Sequence, residues 1–193
     1  MGTFSLQDIT LVERPVQFDQ PQLHILMAEI TPFIRLREAR DIFSVTGNGL
    51  TAAVLDTGLR TTHVDFAGRV RGQRNFTTDN GGNPDNATDG HGHGTNVGGI
   101  IVANGNHRGV APGADIIPLK VLSNNGNGSF QAIADALQWV LDHHTEHHIS
   151  VVCMSLGDPG NYTSDDDFAD NEVRNLIRSL SAERVAVVVA AGN

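Results

Sequence analysis

Short apolar runs alternate along the chain with segments whose apolar residues recur every three or four positions. Four of the runs are nearly continuous, which is typical of strands that are buried on both faces of a parallel sheet. These runs predict strands at residues 50–55, 116–122, 149–154 and 185–189. The pattern therefore places the centre of the fold in a sheet rather than in a helical bundle.

The segments between these runs predict helices. Residues 36–43 form one amphipathic segment, and a second helix begins near His93. A third helix follows Ser129, a residue type that is favoured as an N-cap. A fourth starts after Ser164, where three aspartates at 165–167 suit the positive end of a helix. Strands that alternate with helices predict an α/β fold of three layers, a parallel sheet flanked by helices.

Composition narrows the class of protein. The 193 residues are 39% apolar and 18% charged, which is typical of a globular chain with a sizeable core. A formal net charge of −9 argues against nucleic acid and anionic membranes as partners, and no apolar run is long enough to span a bilayer. Cys153 is the single cysteine, so no intrachain disulfide forms. The sequence specifies neither the compartment nor the oligomeric state.

The N-terminal region differs from the rest of the chain. Residues 1–32 contain Pro15 and Pro21 and show no sustained period. We interpret them as an extension, a partial pro-segment or a packing arm, and these three alternatives stay open at this point. The main domain is predicted to occupy residues 33–193.

Candidate chemistry lies where the predicted strands end. Asp56 follows the first strand, Ser155 the third and Asn193 the fourth, while His93 lies in the glycine-rich segment 90–99. The carboxyl ends of parallel strands share one edge of the sheet, where functional residues of α/β proteins gather. An aspartate beside a histidine indicates an oriented general base, and an asparagine amide is a suitable donor to an oxyanion.

Six short blocks surround these residues. They are Val54-Leu55-Asp56-Thr57-Gly58, Gly92-His93-Gly94-Thr95-Asn96-Val97-Gly98-Gly99, Gly109-Val110-Ala111-Pro112, Lys120-Val121-Leu122, Met154-Ser155-Leu156-Gly157 and Ala190-Ala191-Gly192-Asn193. In this order they resemble the blocks of the subtilisin-like serine peptidases, the first resembling the aspartate segment and the second the histidine segment. The resemblance covers roughly residues 33–193 and implies a subtilisin-like fold.

The resemblance also implies a role for each matched residue. Asp56 would orient the imidazole of His93, which would act as general base and then as general acid, and Asn193 would donate to the oxyanion. Two segments would bind protein or peptide substrate, the first by pairing with the substrate backbone as an added strand and the second by lining the opposite side of the S1 cleft. The first segment is Asn125, Gly126, Asn127 and Gly128, and the second is Ser155, Leu156 and Gly157. The chemistry implied by the resemblance requires no cofactor.

The nucleophile is missing from this set. In the family it lies in a Gly-Thr-Ser segment downstream of the oxyanion asparagine, and no such segment is among these residues. Ser155 does not replace it, because Cys153 stands at the first glycine position of a Gly-x-Ser-x-Gly turn. We therefore expect the N-terminal part of a peptidase domain, truncated at the C-terminal side and inactive alone. The alternative is an inactive subtilisin-like scaffold that binds peptide.

A structural calcium ion is a second hypothesis. The polar loop at residues 75–89 carries Asp79, Asp85 and Asp89, and clustered carboxylates are ligands that Ca²⁺ prefers. Asp65 matches a calcium ligand of the family. The link between the histidine helix and Gly109 is shorter than in the calcium-binding subtilisins, however, so a solvated loop is the favoured interpretation.

Two other enzyme classes fit less well. Asp56-Thr57-Gly58 also resembles the aspartic-peptidase signature, but alternating strands and helices are wrong for that all-β fold. The pair Gly92-x-Gly94 lacks the third glycine of a dinucleotide-binding turn, and it opens from a loop rather than from a strand.

Overall fold

The computed structural model describes residues 9–11, 30–157 and 171–191. The strands are β1 (Ile9–Leu11), β2 (Thr51–Asp56), β3 (Arg74–Asn75), β4 (Asp115–Lys120), β5 (Asn127–Gly128), β6 (Ile149–Met154), β7 (Leu156–Gly157) and β8 (Ala186–Val189). The helices are α1 (Leu36–Phe43), α2 (His93–Val102), α3 (Phe130–His143) and α4 (Glu172–Ala182). Five strands form a parallel sheet in the order β3-β4-β2-β6-β8. None of the helices in these three ranges is long and apolar enough to cross a membrane.

The sheet is covered by helices on both faces. Every residue of β2 is buried. Ala53 and Leu55 point into a core that they share with α3 and α4, whereas Val54 packs on the opposite face with Phe66 and with Val102 of α2. Because successive side chains of a strand point to opposite faces, β2 supplies both cores at once. The predicted three-layer α/β fold is confirmed.

The four predicted strands are all present, with ends that differ by at most two residues. The largest difference is at β4, which ends at Lys120 rather than at Leu122. The amides of Val121 and Leu122 both donate to the Asp56 carbonyl, at 3.0 and 3.1 Å, and this doubled bond interrupts the regular pairing. An apolar run alone does not reveal this irregularity, because Val121 and Leu122 are as buried as the strand itself.

The helix starts follow local capping chemistry. Helix α3 begins after Ser129, whose Oγ accepts from the Ala132 amide at 3.1 Å, as predicted. Helix α1 has the predicted bounds, and α2 begins at His93. Helix α4 is capped by Asn171, which accepts from the Val173 amide at 2.9 Å. The predicted start after Ser164, with the aspartates at 165–167, lies outside the described residues.

A second, smaller sheet has the order β5-β1-β7. Strand β1 runs antiparallel to both neighbours, with Thr10 opposite Asn127 on one side and Gly157 on the other. The outer strands of this sheet are the two segments that the sequence predicts to bind substrate. A strand from the N-terminal region therefore lies between them, which the sequence pattern did not predict.

Candidate active site

The structure brings Asp56 and His93 together. Asp56 is the last residue of β2 and is fully buried, and His93 is the first residue of α2. The distance from His93 Nδ1 to Asp56 Oδ1 is 2.7 Å, and the imidazole is 12% exposed. Strand and helix thus deliver one side chain each to the carboxyl edge of the sheet.

The hydrogen bond defines how the imidazole is used. An ionised carboxylate only accepts, so His93 Nδ1 carries the proton and donates it to Asp56. The other ring nitrogen, Nε2, then holds the lone pair. Asp56 Oδ1 also accepts from the Thr57 amide at 2.7 Å, which fixes the rotation of the carboxylate. The pair is therefore arranged as an oriented base.

Two glycines permit close packing beside the end of β2. Gly94 lies against Gly58, and Gly58 lies against Ala87. A Cβ on Gly94 would lie 2.2 Å from the Gly58 carbonyl oxygen and 3.1 Å from Asp56 Oδ1. Gly58 has φ of +107°, and a Cβ there would lie 2.2 Å from the Ala87 carbonyl oxygen. Since real Cβ atoms do not approach oxygens at 2.2 Å, a side chain at Gly94 would push α2 and His93 away from Asp56, and one at Gly58 would push the backbone at Ala87 away from this turn.

The two predicted substrate segments face each other across β1. Asn127 and Gly128 form β5, preceded by a turn in which the Gly126 amide donates to the Ser123 carbonyl at 2.8 Å. Asn125 is exposed in this turn. Leu156 and Gly157 form β7, and Ser155 lies between β6 and β7. Both segments thus present a backbone edge to an extended strand. Asn193 lies outside the described residues.

Cys153 lies close to this edge. Its Sγ is 3.9 Å from Ser155 Oγ, and burial raises the pKa of the thiol. The nearby Asp56 carboxylate acts in the same direction, whereas the hydrogen bond with Ser155 opposes it. A protonated, half-buried thiol is a packing group rather than a nucleophile.

The four candidate calcium ligands are each engaged by protein groups. Asp65 accepts from His107 Nδ1 at 2.7 Å, Asp79 from the Asn124 amide at 2.6 Å, Asp85 from Arg74 at 2.7 Å and Asp89 from residues at the start of α2. Burial raises the pKa of Asp65, but hydrogen bonds from His107 and Asn106 outweigh it and hold that pKa below its usual value. In the described ranges, no group of three or more His, Cys, Asp or Glu residues is arranged to hold a metal ion. The calcium hypothesis therefore stays a prediction, and the four carboxylates serve other contacts in this structure.

Lys120 is a residue of the site that sequence reasoning missed. It is fully buried at the end of β4, where Nζ donates to the carbonyls of Thr57 at 2.7 Å and Leu122 at 3.0 Å. Nζ also donates to Asn124 Oδ1 at 2.9 Å and lies 3.3 Å from Asp79 Oδ2. The ammonium group thus joins the turn after Asp56 to the segment that leads to β5. The sequence signal that could have identified it is the presence of one charged residue in an otherwise apolar predicted strand.

Comparison with known proteins places this chain in a family. The subtilase family model matches residues 47–193. The chain belongs to the subtilase family of serine peptidases. It is 36% identical over 171 residues to a major intracellular serine protease of Bacillus subtilis (strain 168), an alignment that covers 86% of this chain and 50% of that protein.

Two further similar proteins support the same family. An intracellular serine protease of Paenibacillus polymyxa is 34% identical over 169 residues, covering 86% of this chain and 48% of the relative. The crystal structure of a cold adapted subtilisin-like serine proteinase matches with a TM-score of 0.59 and 33% identity, over 77% of this chain and 48% of that chain. The chain thus spans about half the length of these relatives and corresponds to the N-terminal portion of the family domain.

Proposed function

We propose that the protein to which this chain belongs is a serine-type endopeptidase that cleaves peptide bonds in proteins. The observation that carries this proposal is the 2.7 Å hydrogen bond between His93 Nδ1 and Asp56 Oδ1. That bond leaves Nε2 as the basic nitrogen at the carboxyl edge of the sheet. Membership of the subtilase family supports the same reaction class.

The proposed reaction uses a serine supplied from outside these residues. His93 Nε2 takes the hydroxyl proton as the serine oxygen bonds to the scissile carbonyl carbon, and then donates that proton to the leaving amine as the C–N bond breaks. Water hydrolyses the acyl-enzyme with the same base. Asp56 keeps its charge and stabilises the imidazolium, and Asn193 is the proposed donor to the oxyanion. The residues 1–193 alone are proposed to be inactive.

Substrate is proposed to bind as an antiparallel strand between β5 and β7. The register of β1 supports this proposal, because Thr10 already pairs with Asn127 and Gly157 in that geometry. Backbone pairing of this kind gives affinity without strong dependence on side chains. The chemistry of the site therefore favours extended peptides of varied sequence.

The same register supports a role for the N-terminal region. We infer that residues 1–32 form a segment that competes with substrate, as a pro-segment does, through β1. One strand position cannot hold two chains, so β1 must leave before a peptide pairs with Asn127 and Gly157. The proposed boundary at residue 33 separates this segment from the peptidase domain.

The test of the endopeptidase proposal uses the full-length protein. Replacing His93 with Ala should abolish hydrolysis of a protein substrate; in subtilisin, loss of the histidine costs about 10⁶-fold in kcat. His91→Ala is the matched control, because this exposed histidine lies two residues before His93, ahead of α2. Retained hydrolysis by the His93→Ala variant would contradict the proposed base.

A second measurement separates the enzyme from a peptide-binding scaffold. A fluorophosphonate probe should label the full-length protein and leave a chain that contains only residues 1–193 unlabelled. Labelling of that short chain would show that the nucleophile had been missed among these residues. A full-length protein that binds peptide but neither reacts with the probe nor cleaves would instead support the inactive scaffold.

A further inference from the structure

The carboxylate of Asp89 lies between the turn that follows Asp56 and the start of α2. Its Oδ1 accepts from Thr57 Oγ1 at 2.9 Å and from the amides of His91 and Gly92 at 2.9 and 2.8 Å. Its Oδ2 accepts from the amide and the hydroxyl of Thr95, at 2.9 and 2.5 Å. One half-buried side chain therefore receives five hydrogen bonds, three from backbone amides and two from hydroxyls.

These bonds bracket His93 in the sequence. His91 and Gly92 precede it and Thr95 follows it, so the carboxylate holds the chain on both sides of the imidazole. The residue at the N-cap position is Gly92, which has φ of +104° and no side chain to cap the helix. Asp89 supplies that missing acceptor from outside the helix. The first turn of α2 is thus fixed against Asp89 rather than against its own cap.

We call the hydrogen bonds of Asp89 to His91, Gly92 and Thr95 the bracket. Thr57 connects the bracket to Asp56. Its hydroxyl donates to Asp89 and accepts from the Gly94 amide at 2.9 Å, while its own amide donates to Asp56 Oδ1 at 2.7 Å. Thr57 is fully buried, so water does not replace these partners in the folded protein. A continuous chain of hydrogen bonds therefore runs from Asp56 through Thr57 to the helix that carries His93.

We propose that Asp89 is a positioning residue that holds His93 in register with Asp56 through Thr57. The catalytic consequence of this inference rests on the proposed peptidase function, whereas the positioning itself rests on the geometry alone. The hydrogen bonds of Asp89 go to Thr57, His91, Gly92 and Thr95, so it acts on the backbone around His93. It acts by keeping the ring where Nδ1 meets Asp56 and Nε2 meets the nucleophile.

The Asp89→Asn variant tests the bracket with almost no change in volume. An amide group accepts through one oxygen only, so its NH₂ would face the donors of either Thr95 or of His91 and Gly92. A misplacement of about 1 Å costs on the order of 10²-fold in rate, so kcat of the full-length enzyme should fall by about that factor. KM should change by less than about twofold, since the five hydrogen bonds of Asp89 go to Thr57, His91, Gly92 and Thr95 rather than to β5 or β7.

Thr57 provides an independent pair of variants. Thr57→Val keeps the shape of the side chain and removes the hydroxyl, so kcat should fall as in Asp89→Asn. Thr57→Ser keeps the hydroxyl and should restore kcat to within a few-fold of the parent value. A defect that arose from packing alone would give the opposite order, because valine fills the buried space better than serine does.

Hydrogen exchange measured by mass spectrometry tests the positioning without any catalytic readout. In the full-length protein, Asp89→Asn and Thr57→Val should accelerate exchange of the amides at residues 90–97 by about tenfold or more. The control Asp135→Asn changes an exposed carboxylate on α3 that accepts from Gln131, and it should leave both exchange and kcat unchanged.

Each outcome decides the proposal. Unchanged exchange at residues 90–97 in both variants would overturn the bracket, and accelerated exchange with unchanged kcat would overturn its role in positioning the base. If Asp89→Asn does not fold, the comparison of Thr57→Val with Thr57→Ser still decides. A parent protein without peptidase activity would refute the proposed function, while the exchange data would still test the bracket.

Discussion

At the scale of single residues, the geometry of the site depends on the lack of a side chain at Gly94. Gly94 lies so close to Gly58 that one added carbon would meet the Gly58 carbonyl oxygen at 2.2 Å. Backbone atoms cannot yield as the end of a flexible side chain can. The close approach of His93 to Asp56 therefore depends on Gly94, whose lack of a side chain lets α2 lie against the turn after β2.

Replacing Gly94 with Ala should separate the pair. We expect a loss of roughly 1–3 kcal/mol in the free energy of unfolding from overpacking, together with a large loss of kcat in the full-length protein. Gly99 is the matched control in the same helix, since a Cβ there has nothing within 4 Å. Gly99→Ala should raise stability by up to about 1 kcal/mol. Thermal melts and kcat of both variants make the comparison, and equal effects would contradict the steric argument.

The charge of Asp89 predicts how stability depends on pH. Burial raises the pKa of this carboxyl, but hydrogen bonds from Gly92, Thr95 and His91 outweigh that effect and hold the pKa below its usual value. The folded state therefore binds fewer protons than the unfolded state, in which an aspartate titrates near about 3.9. The stabilisation is complete above that pH and is lost as pH falls through the lower, folded pKa.

This pH dependence is measurable from urea midpoints of the full-length protein between pH 6 and pH 3. The difference in the free energy of unfolding between the parent and Asp89→Asn should be largest at pH 6 and should shrink toward pH 3. A difference that stays constant over this range would mean that the Asp89 carboxyl titrates alike in the folded and unfolded states.

At the scale of elements, β1 is a short strand that joins two distant parts of the chain. It is three residues long, yet it pairs with strands that lie more than a hundred residues away in sequence. Strand addition of this kind depends on backbone hydrogen bonds, so a side-chain pattern is not needed to specify it. Under the proposed substrate binding, the same property would let a peptide of another sequence take its place.

Replacing Thr10 with Pro should weaken β1 as a competitor. Proline removes the backbone N–H that a strand uses for pairing and restricts φ. If β1 leaves the site open in about a tenth of the molecules, peptide should bind about tenfold more tightly to the variant. Thr10→Val is the control, since it keeps the N–H. Isothermal titration of the full-length His93→Ala protein with peptide measures both, and unchanged affinity in Thr10→Pro would contradict competition.

At the scale of the whole molecule, the five-stranded sheet ends in an exposed apolar edge strand. Strand β8 lies at one end of the sheet and, among the described residues, pairs only with β6. Val188 and Val189 are 56% and 49% exposed there. A strand edge with unpaired backbone groups and apolar side chains is a template for association.

A chain of residues 1–193 alone should therefore self-associate. Sedimentation velocity over a range of concentrations should show reversible or irreversible growth beyond the monomer. Val188→Lys should reduce it, because a charge on an edge strand opposes pairing. Val64→Lys changes a valine of similar exposure, 51%, in a turn away from this edge, and it should not reduce association. A parent chain that stays monomeric throughout would contradict this prediction.

The sequence predicts the positions of the strands well because each is a continuous apolar run, although only β2 is buried throughout and β8, predicted to be buried, is largely exposed at the end of the sheet. Residues 51–56 and 149–154 are apolar runs whose position is decided by local composition. Asp56 and His93 follow from the family blocks, and the structure places them in contact. Fold and central pair are thus legible in local segments.

Other contacts depend on which loops meet, and local segments do not encode that. The pairing of Asp65 with His107 joins residues 42 positions apart, and the acidic loop that resembles a calcium site is used for separate contacts with Arg74, Lys120 and α2. Strand β1 was missed for the same reason, because three residues carry no periodicity.

Lys120 gives the folded protein an unusual chemical property. It is the single lysine of this sequence, and its ammonium group is sealed beneath the turn that follows Asp56. Every other fixed cationic side chain is an arginine, so reagents that acylate primary amines find no lysine on the folded surface of these residues. Coupling to this lysine must wait for β4 and the Thr57 turn to separate. The rate at which Lys120 is acylated therefore measures how often the contact between β4 and the Thr57 turn opens.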